Sequence, residues 1–275
     1  MQTVHFSKPA PQEAPSQQPA AKPPALQERM EALRLCVVVP TYNNRQTLAG
    51  VLNGILQYTS SVIVVDDGST DDTDRILRDF AGRIKVLSCR PNRGKGVALK
   101  RGFDEAEKRA CRGVITIDSD GQHAASEIER FVGQAEKYPD ALLIGQRTAE
   151  GPVPAKNSFA NRFSNFWFTL QTARRLQDTQ NGFRLYPLPA MRGLRPVTSR
   201  YEAELEILVR AAWKGIRIMP VPVSVYYPPE GERVTHFRPA RDFFRISLLN
   251  AVFTLLAAVY GYPSLLIHRL FMQKK

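Results

Sequence analysis

Ser61-Val62-Ile63-Val64-Val65-Asp66-Asp67-Gly68-Ser69-Thr70 sets a short, mostly β-branched apolar run against two carboxylates and a glycine turn. Such a run has no polar face, as in a strand covered on both sides. The pattern repeats in both directions. Residues 35–39 lead into Pro40-Thr41-Tyr42-Asn43-Asn44, and 84–89 into Asn92-Arg93-Gly94-Lys95-Gly96. Val114-Ile115-Thr116-Ile117 ends in Asp118-Ser119-Asp120-Gly121-Gln122-His123, and 142–145 gives a fifth strand. Between them, Leu48, Val51, Leu52, Ile55 and Leu56 keep helical spacing behind Asn44 as an N-cap; so do Ile128, Phe131, Val132 and Ala135 further on. Strands alternating with amphipathic helices predict an α/β fold, a mostly parallel sheet flanked by helices. Ligands of such sheets bind beyond the carboxyl ends of the strands, where this sequence places Asp66/Asp67, 92–96 and Asp118/Asp120.

After residue 150 the rhythm changes. Phe159, Phe163, Phe166, Trp167 and Leu170 are spaced as one apolar helix face within 156–170. Residues 201–213 read as an amphipathic helix, and 216–225 as an edge strand because of its prolines. At the other end, residues 1–25 hold six Pro, five Ala and four Gln without apolar periodicity. A solvated tail over 1–33, with no apolar core of a signal peptide, is expected there. Three cysteines, Cys36, Cys89 and Cys111, are too few and scattered for a disulfide framework or zinc site, which points to a reducing compartment.

Asp118 and Asp120 follow a buried strand at i, i+2. Two close carboxylates repel unless a cation lies between or beside them. Mg²⁺ commonly takes one or two carboxylates plus substrate phosphates, so a divalent ion on a diphosphate fits. Asp66 and Asp67 suit ribose hydroxyls or base N–H groups, with Asp71, Asp72 and Asp74 capping the next helix. The 92–96 turn lacks P-loop spacing; its glycines admit a ligand close to the backbone, with Lys95 facing a phosphate, or they serve only a tight turn.

Together these motifs resemble the family 2 glycosyltransferases with the GT-A fold. Within them the chain is most similar to the dolichol-phosphate mannosyltransferase-like, polyprenyl-phosphate glycosyltransferase branch. The resemblance runs from about Leu35 to Phe237 and implies a GT-A (Rossmann-like) catalytic domain over 34–237. It implies that Pro40, Tyr42, Asp66 and Asp67 line the base and ribose of a nucleotide-sugar donor, and that Asp118, Asp120 and Gln122 hold Mg²⁺ or Mn²⁺. Arg147 falls where that branch has an arginine near the donor. Asp178-Thr179-Gln180-Asn181-Gly182-Phe183-Arg184 is similar to its Asp-x-x-x-Gly-Phe-Arg element, so Asp178 is expected at the reacting centre and Arg184 on the phosphates. Asn44 departs from the usual Glu, leaving uridine and guanosine both open. Thr235-His236-Phe237 replaces Ser-Lys-Leu, which leaves Arg233 or a histidine as the last phosphate contact.

The implied reaction is inverting displacement at the anomeric carbon by a metal-dependent glycosyltransferase. Arginines aid the leaving diphosphate by pairing bidentately with phosphate. A lipid-phosphate acceptor is already ionised and needs no base; a hydroxyl acceptor on a lipid or glycolipid needs one. Asp178 is the candidate, with Asp120 beside it on the metal. Glu202 and Glu204 stand in reserve but are read as a solvated helix face, and His123 and His236 as loop hydrogen-bonders.

The chain carries 38 Lys+Arg against 26 Asp+Glu, a net +12, unevenly placed. Residues 1–153 hold 20 basic and 19 acidic groups, whereas 154–200 hold 8 and 1, and 233–275 hold 7 and 1. Residues 246–267 are uncharged and flanked by Arg238, Arg241 and Arg245 before and by His268, Arg269, Lys274 and Lys275 after. The run is just long enough to span a bilayer, but Gly261-Tyr262-Pro263 interrupts it and both flanks are positive. Two short interfacial helices or a shallow re-entrant hairpin are therefore expected over 238–275, with spanning and packed-core helices as alternatives. Segments 156–175 and 238–275 are expected to meet the cytoplasmic face of a membrane, making the protein peripheral or monotopic. The charge also suits a nucleic-acid-binding module, but no RNA-reading, helix-turn-helix or zinc pattern accompanies it. Nucleic acid has no use for the adjoining apolar faces; a membrane does.

Overall fold

A computed structural model describes residues 25–148, 155–194, 196–226 and 239–272. The strands are β1 (Leu35–Thr41), β2 (Val62–Asp66), β3 (Lys85–Ser88), β4 (Gly113–Thr116), β5 (Leu142–Arg147), β6 (Arg184–Pro187) and β7 (Ile218–Val223). They form one sheet in the order β3-β2-β1-β4-β6-β5-β7. Every neighbouring pair is parallel except those of β6, which runs antiparallel to β4 and β5. All seven residues of β1 and all five of β2 are buried, as their unbroken apolar runs require.

The helices are α1 (Leu26–Ala32), α2 (Leu48–Leu56), α3 (Thr73–Asp79), α4 (Lys95–Lys108), α5 (Ile128–Lys137), α6 (Ala155–Thr172), α7 (Glu202–Trp213), α8 (Pro239–Leu256) and α9 (Tyr262–Met272). They cover both faces. One core joins α2 and α5 to Val37, Val39, Val64 and Leu143; the other joins α4 and α7 to Val38, Val65, Val114 and Ile144.

Four expectations change. The tail expected over 1–33 does not extend to its end: α1 buries Met30 and its Arg29 pairs with Glu136 at 2.8 and 2.9 Å. The Asn44 side chain is not the cap of α2, because its amide donates to Ser119 Oγ at 2.5 Å, leaving Thr47 at the cap position. The strand β6 was not foreseen. The C-terminal segment is neither two helices nor a hairpin. α8 runs through a π-helical turn (Ala257–Gly261) directly into α9, about 50 Å of helix at 1.5 Å per residue. The wider turn absorbs the hydrogen bond that Pro263 is unable to donate.

This long helix lies along α6 and α7. Phe243 packs on Phe163 at 5.3 Å, Phe253 on Trp213 at 5.4 Å, and Gly261 sits against the Trp213 indole. Buried Gln171 donates to the Asn250 carbonyl and side chain at 3.2 and 3.1 Å, and Ser264 Oγ to the Trp213 carbonyl at 2.8 Å.

Candidate active site

Parallel β1, β2 and β4 end at one edge of the sheet, and the antiparallel β6 starts there, Thr116 lying opposite Arg184. Reversing that strand delivers its lead-in, 178–183, to the edge where the carboxylates are. The loops are laced together. Asn43 N–H donates to Ser69 Oγ at 2.9 Å, Thr47 Oγ1 to the Ser119 carbonyl at 2.6 Å, and Ser119 Oγ to the Pro40 carbonyl at 3.2 Å. Ser119, between the two aspartates, is thereby pinned to the end of β1.

Asp66 and Asp67 sit buried at the end of β2. Asp67 accepts from Arg93 N–H at 2.9 Å and Gly94 N–H at 2.6 Å, clamping the turn that opens α4. Gly94 has φ +100° and a β-carbon there would lie 2.5 Å from the Ser199 carbonyl oxygen, so this position excludes a side chain. Asp66 accepts from Ser69 N–H at 2.9 Å with one oxygen; its other oxygen is buried without a partner. Asp71 accepts from Thr73 N–H at 3.0 Å, as expected of an acid at the start of α3. Tyr42 follows β1, half-buried at the same edge.

Lys95, the first residue of α4, places Nζ 2.7 Å from Asp118 Oδ1, 3.0 Å from Oδ2 and 2.9 Å from Glu204 Oε2. Burial acts to raise Asp118, but the Lys95 ammonium holds it below the usual carboxylate range. Asp120 accepts from Gln122 N–H at 3.0 Å, with Lys95 a weaker influence on it than on Asp118. Burial and the neighbouring Asp118 push it up to about 6. Burial also pushes His123 down to about 4, so its imidazole, stacked edge-on to Phe183 at 5.1 Å, is neutral near pH 7.

Asp178 and Arg147 meet as a bidentate pair. Arg147 Nε lies 2.6 Å from Oδ2, Nη2 2.7 Å from Oδ1, and the Arg147 backbone N–H donates to Oδ2 at 3.2 Å. Both oxygens of the candidate base are thus engaged in orienting the arginine at the end of β5.

Residues 36–195 match the model of the family described as Glycosyl transferase family 2. The chain belongs to glycosyl transferase family 2. A dolichyl-phosphate β-glucosyltransferase of Dictyostelium discoideum is 27% identical over 248 residues, 79% of this chain and 75% of its own length. Polyprenol monophosphomannose synthase of Mycolicibacterium smegmatis is 27% identical over 204 residues, 70% of this chain and 77% of its own. The chain also shares its fold with glucosyl-3-phosphoglycerate synthase of Mycobacterium tuberculosis, solved with Mn²⁺, UDP and phosphoglyceric acid. There the TM-score is 0.62 at 21% identity, with 86% of this chain and 83% of that one covered. The expected GT-A architecture and glycosyltransferase activity are those of this family.

For a family 2 glycosyltransferase, a divalent ion is the question the site poses. Among the described residues no three His, Cys, Asp or Glu side chains converge, so the protein offers two carboxylates, not a closed cage. That donor set, hard carboxylate oxygens at the end of β4, fits Mg²⁺ or Mn²⁺ completed by phosphates and water.

Arg184 is a correction. Expected on the phosphates, it is fully buried and its guanidinium is consumed by main chain: Nε donates to the Asn181 carbonyl at 2.7 Å, Nη1 to Glu204 at 2.8 Å and Nη2 to Thr179 at 2.9 Å. The reason is β6. Its first residue turns inward and staples the 178–183 loop to α7. Arg184→Ala strands three buried carbonyls and is expected to cost about 3 kcal/mol, or a fall in Tm of about 6–12 °C. A thermal melt unchanged within about 2 °C would refute the staple.

Glu202 and Glu204 are the second correction, and Glu206 shares their setting. Not a solvated face, all three are buried, each paired with one cation: Arg245 at 2.5 Å, Lys95 at 2.9 Å and Arg210 at 2.8 Å. The sequence held one signal, three acids in the first turns of a helix whose other residues are almost all apolar. Arg233 and His236 lie outside the described residues.

Proposed function

We propose that this family 2 glycosyltransferase moves a sugar from a nucleotide-sugar donor, with Mg²⁺ or Mn²⁺, onto polyprenyl phosphate at a membrane surface. The observation carrying the reading is the Asp118/Asp120 pair at the carboxyl edge of the sheet, with Lys95 as its neighbouring counter-charge. Two relatives whose names specify dolichyl-phosphate and polyprenol acceptors support the lipid class.

Pro40, Tyr42 and Asp66 form the wall for base and ribose, Asp66 through its unpaired buried oxygen. Asp67 contributes indirectly, by fixing the turn that presents Lys95. Asp118 and Asp120, with Gln122 beside them, would hold the ion, whose contribution when bound is to neutralise charge on the leaving diphosphate. Arg147 adds positive charge from β5, aimed by Asp178. A phosphate acceptor attacks already ionised, so no residue has to take its proton, which agrees with Asp178 being engaged elsewhere. Asp178→Asn is therefore expected to weaken donor binding about 10-fold, and Arg147→Ala is expected to do the same, by losing a charge-assisted pair. Unchanged donor affinity with a collapsed kcat would instead make Asp178 a base.

The membrane contact rests on two stripes. Phe244, Leu248, Val252, Leu255, Val259, Leu266 and Leu270 recur at helical intervals along α8–α9 and are 45–79% exposed. Phe159, Phe166 and Leu170 are exposed on α6, while Phe163 packs between Trp167 and Phe243 of α8. By length and composition 242–268 is able to cross a bilayer. Its packing on α6 and α7 from Phe243 to His268 favours a helix lying in the interface instead. Of the expected basic flank, Arg245 is spent on Glu202; just beyond α6, Arg175 is exposed. The acceptor is tested by offering polyprenyl phosphate and the matching polyprenol in mixed vesicles. Product on the phosphate alone is expected; equal transfer to the alcohol contradicts it.

A further inference from the structure

Lys95 occupies the lone pairs that a divalent ion on Asp118 requires. Its Nζ is within 3.0 Å of both Asp118 oxygens, and Gly182 closes over the pair: a β-carbon at 182 would fall 2.5 Å from Asp118 Oδ2 and 2.9 Å from Nζ. The ammonium has a second partner, Glu204 Oε2 at 2.9 Å. Glu204 is 93% buried, and its other oxygen, Oε1, has no hydrogen-bond partner. A buried carboxylate oxygen left idle beside an ammonium is an unfilled acceptor. Lysine carries three donors on a flexible stem, so it is able to leave Asp118 while keeping Glu204.

We propose that Lys95 is a resident counter-cation of Asp118, held between Asp118 and Glu204 until a divalent ion and a diphosphate arrive together, with Glu204 as the positioning residue that keeps it in reach. The inference rests on the metal reading of Asp118 given above. An ion alone on Asp118 would sit against the displaced ammonium and be repelled. A diphosphate brings the negative charge that accommodates both cations. Metal and nucleotide therefore tighten one another, and by linkage equally. Glu204 acts through Lys95, and Lys95 through Asp118.

The test is Mn²⁺ binding to the full chain, followed by paramagnetic resonance of the free ion, with and without saturating UDP. Wild type is expected to bind Mn²⁺ about tenfold or more tightly with UDP than without. Lys95→Met is expected to tighten Mn²⁺ alone about tenfold and to shrink the gain from UDP. Glu204→Gln is expected to loosen Mn²⁺ alone, because Asp118 becomes the sole carboxylate for Lys95. The double variant Lys95→Met/Glu204→Gln has the wild-type net charge and removes the buried Glu204 carboxylate together with its ammonium, leaving Asp118 as the carboxylate without a counter-cation. It is expected to bind Mn²⁺ alone more tightly than wild type. A double variant no tighter than wild type, or an undiminished UDP gain, overturns the proposal. If Asp118→Asn loses Mn²⁺ while the Lys95 variants match wild type, only this inference falls. If wild type binds no Mn²⁺ even with UDP, or Asp118→Asn binds it equally, the metal reading falls and the inference with it.

Discussion

Asp118→Asn is expected to lower kcat by at least about 10²–10³-fold, the scale on which losing one electrostatic contact to a developing anion is felt. The substitution keeps the size of the side chain but removes the charge. Lys95 then retains Glu204 alone, and the edge of the sheet loses one of the two carboxylates proposed to hold the ion. Asp120→Asn should behave similarly for a different reason. Asp120 accepts from the Gln122 backbone N–H and is less compensated than Asp118, so on the proposed reading it supplies charge and does not hold the fold. Neither change should move the melting temperature by more than a few degrees, because the strand β4 and the Ser119 anchor remain. Turnover within about tenfold of wild type in either variant would remove these residues from the site.

The second large effect concerns the long C-terminal helix. Leu248→Glu/Leu255→Glu/Val259→Glu replaces three exposed apolar side chains on one face of α8 and the π-helical turn. Burying a Leu or Val in an apolar phase is worth about 1.5–3 kcal/mol, so three together should weaken vesicle binding by at least about 10³-fold. Exposed positions contribute little to folding, and stability should stay within about 1 kcal/mol. Sedimentation with vesicles and transfer to a short-chain, water-soluble acceptor separate the two outcomes: binding lost, transfer kept. Undiminished sedimentation would mean that this stripe does not face lipid. The aromatic and polar contacts on the inner side of the helix, Trp213 with Phe253 and Gln171 with Asn250, are untouched by these substitutions.

What the sequence made legible is what local pattern controls. The runs ending at Pro40, Asp66 and Ile117 carry burial on both faces in their composition, and they became β1, β2 and β4 with the carboxylates at one edge. What stayed hidden depends on partners distant in the chain. Arg184-Leu185-Tyr186-Pro187 has no unbroken apolar run to announce a strand, and nothing local says that β6 runs backwards between β4 and β5. That reversal is why Arg184 points into main-chain carbonyls. Glu204 looked like a surface acid because its counter-charge, Lys95, comes from 109 positions earlier. Pro263 looked like a helix end because sequence rules describe α-helices, and a π-helical turn satisfies the same proline. The 26–32 segment reads as part of a tail until Arg29 finds Glu136.

The most direct measurement is transfer itself. The full chain, incubated with UDP- and GDP-sugars, Mn²⁺ or Mg²⁺ and polyprenyl phosphate in vesicles, is predicted to give a lipid-linked sugar with at least one donor, and to stop when the ion is chelated. No lipid-linked product with any donor, or product that forms equally well under chelation, would contradict metal-assisted transfer to a lipid phosphate.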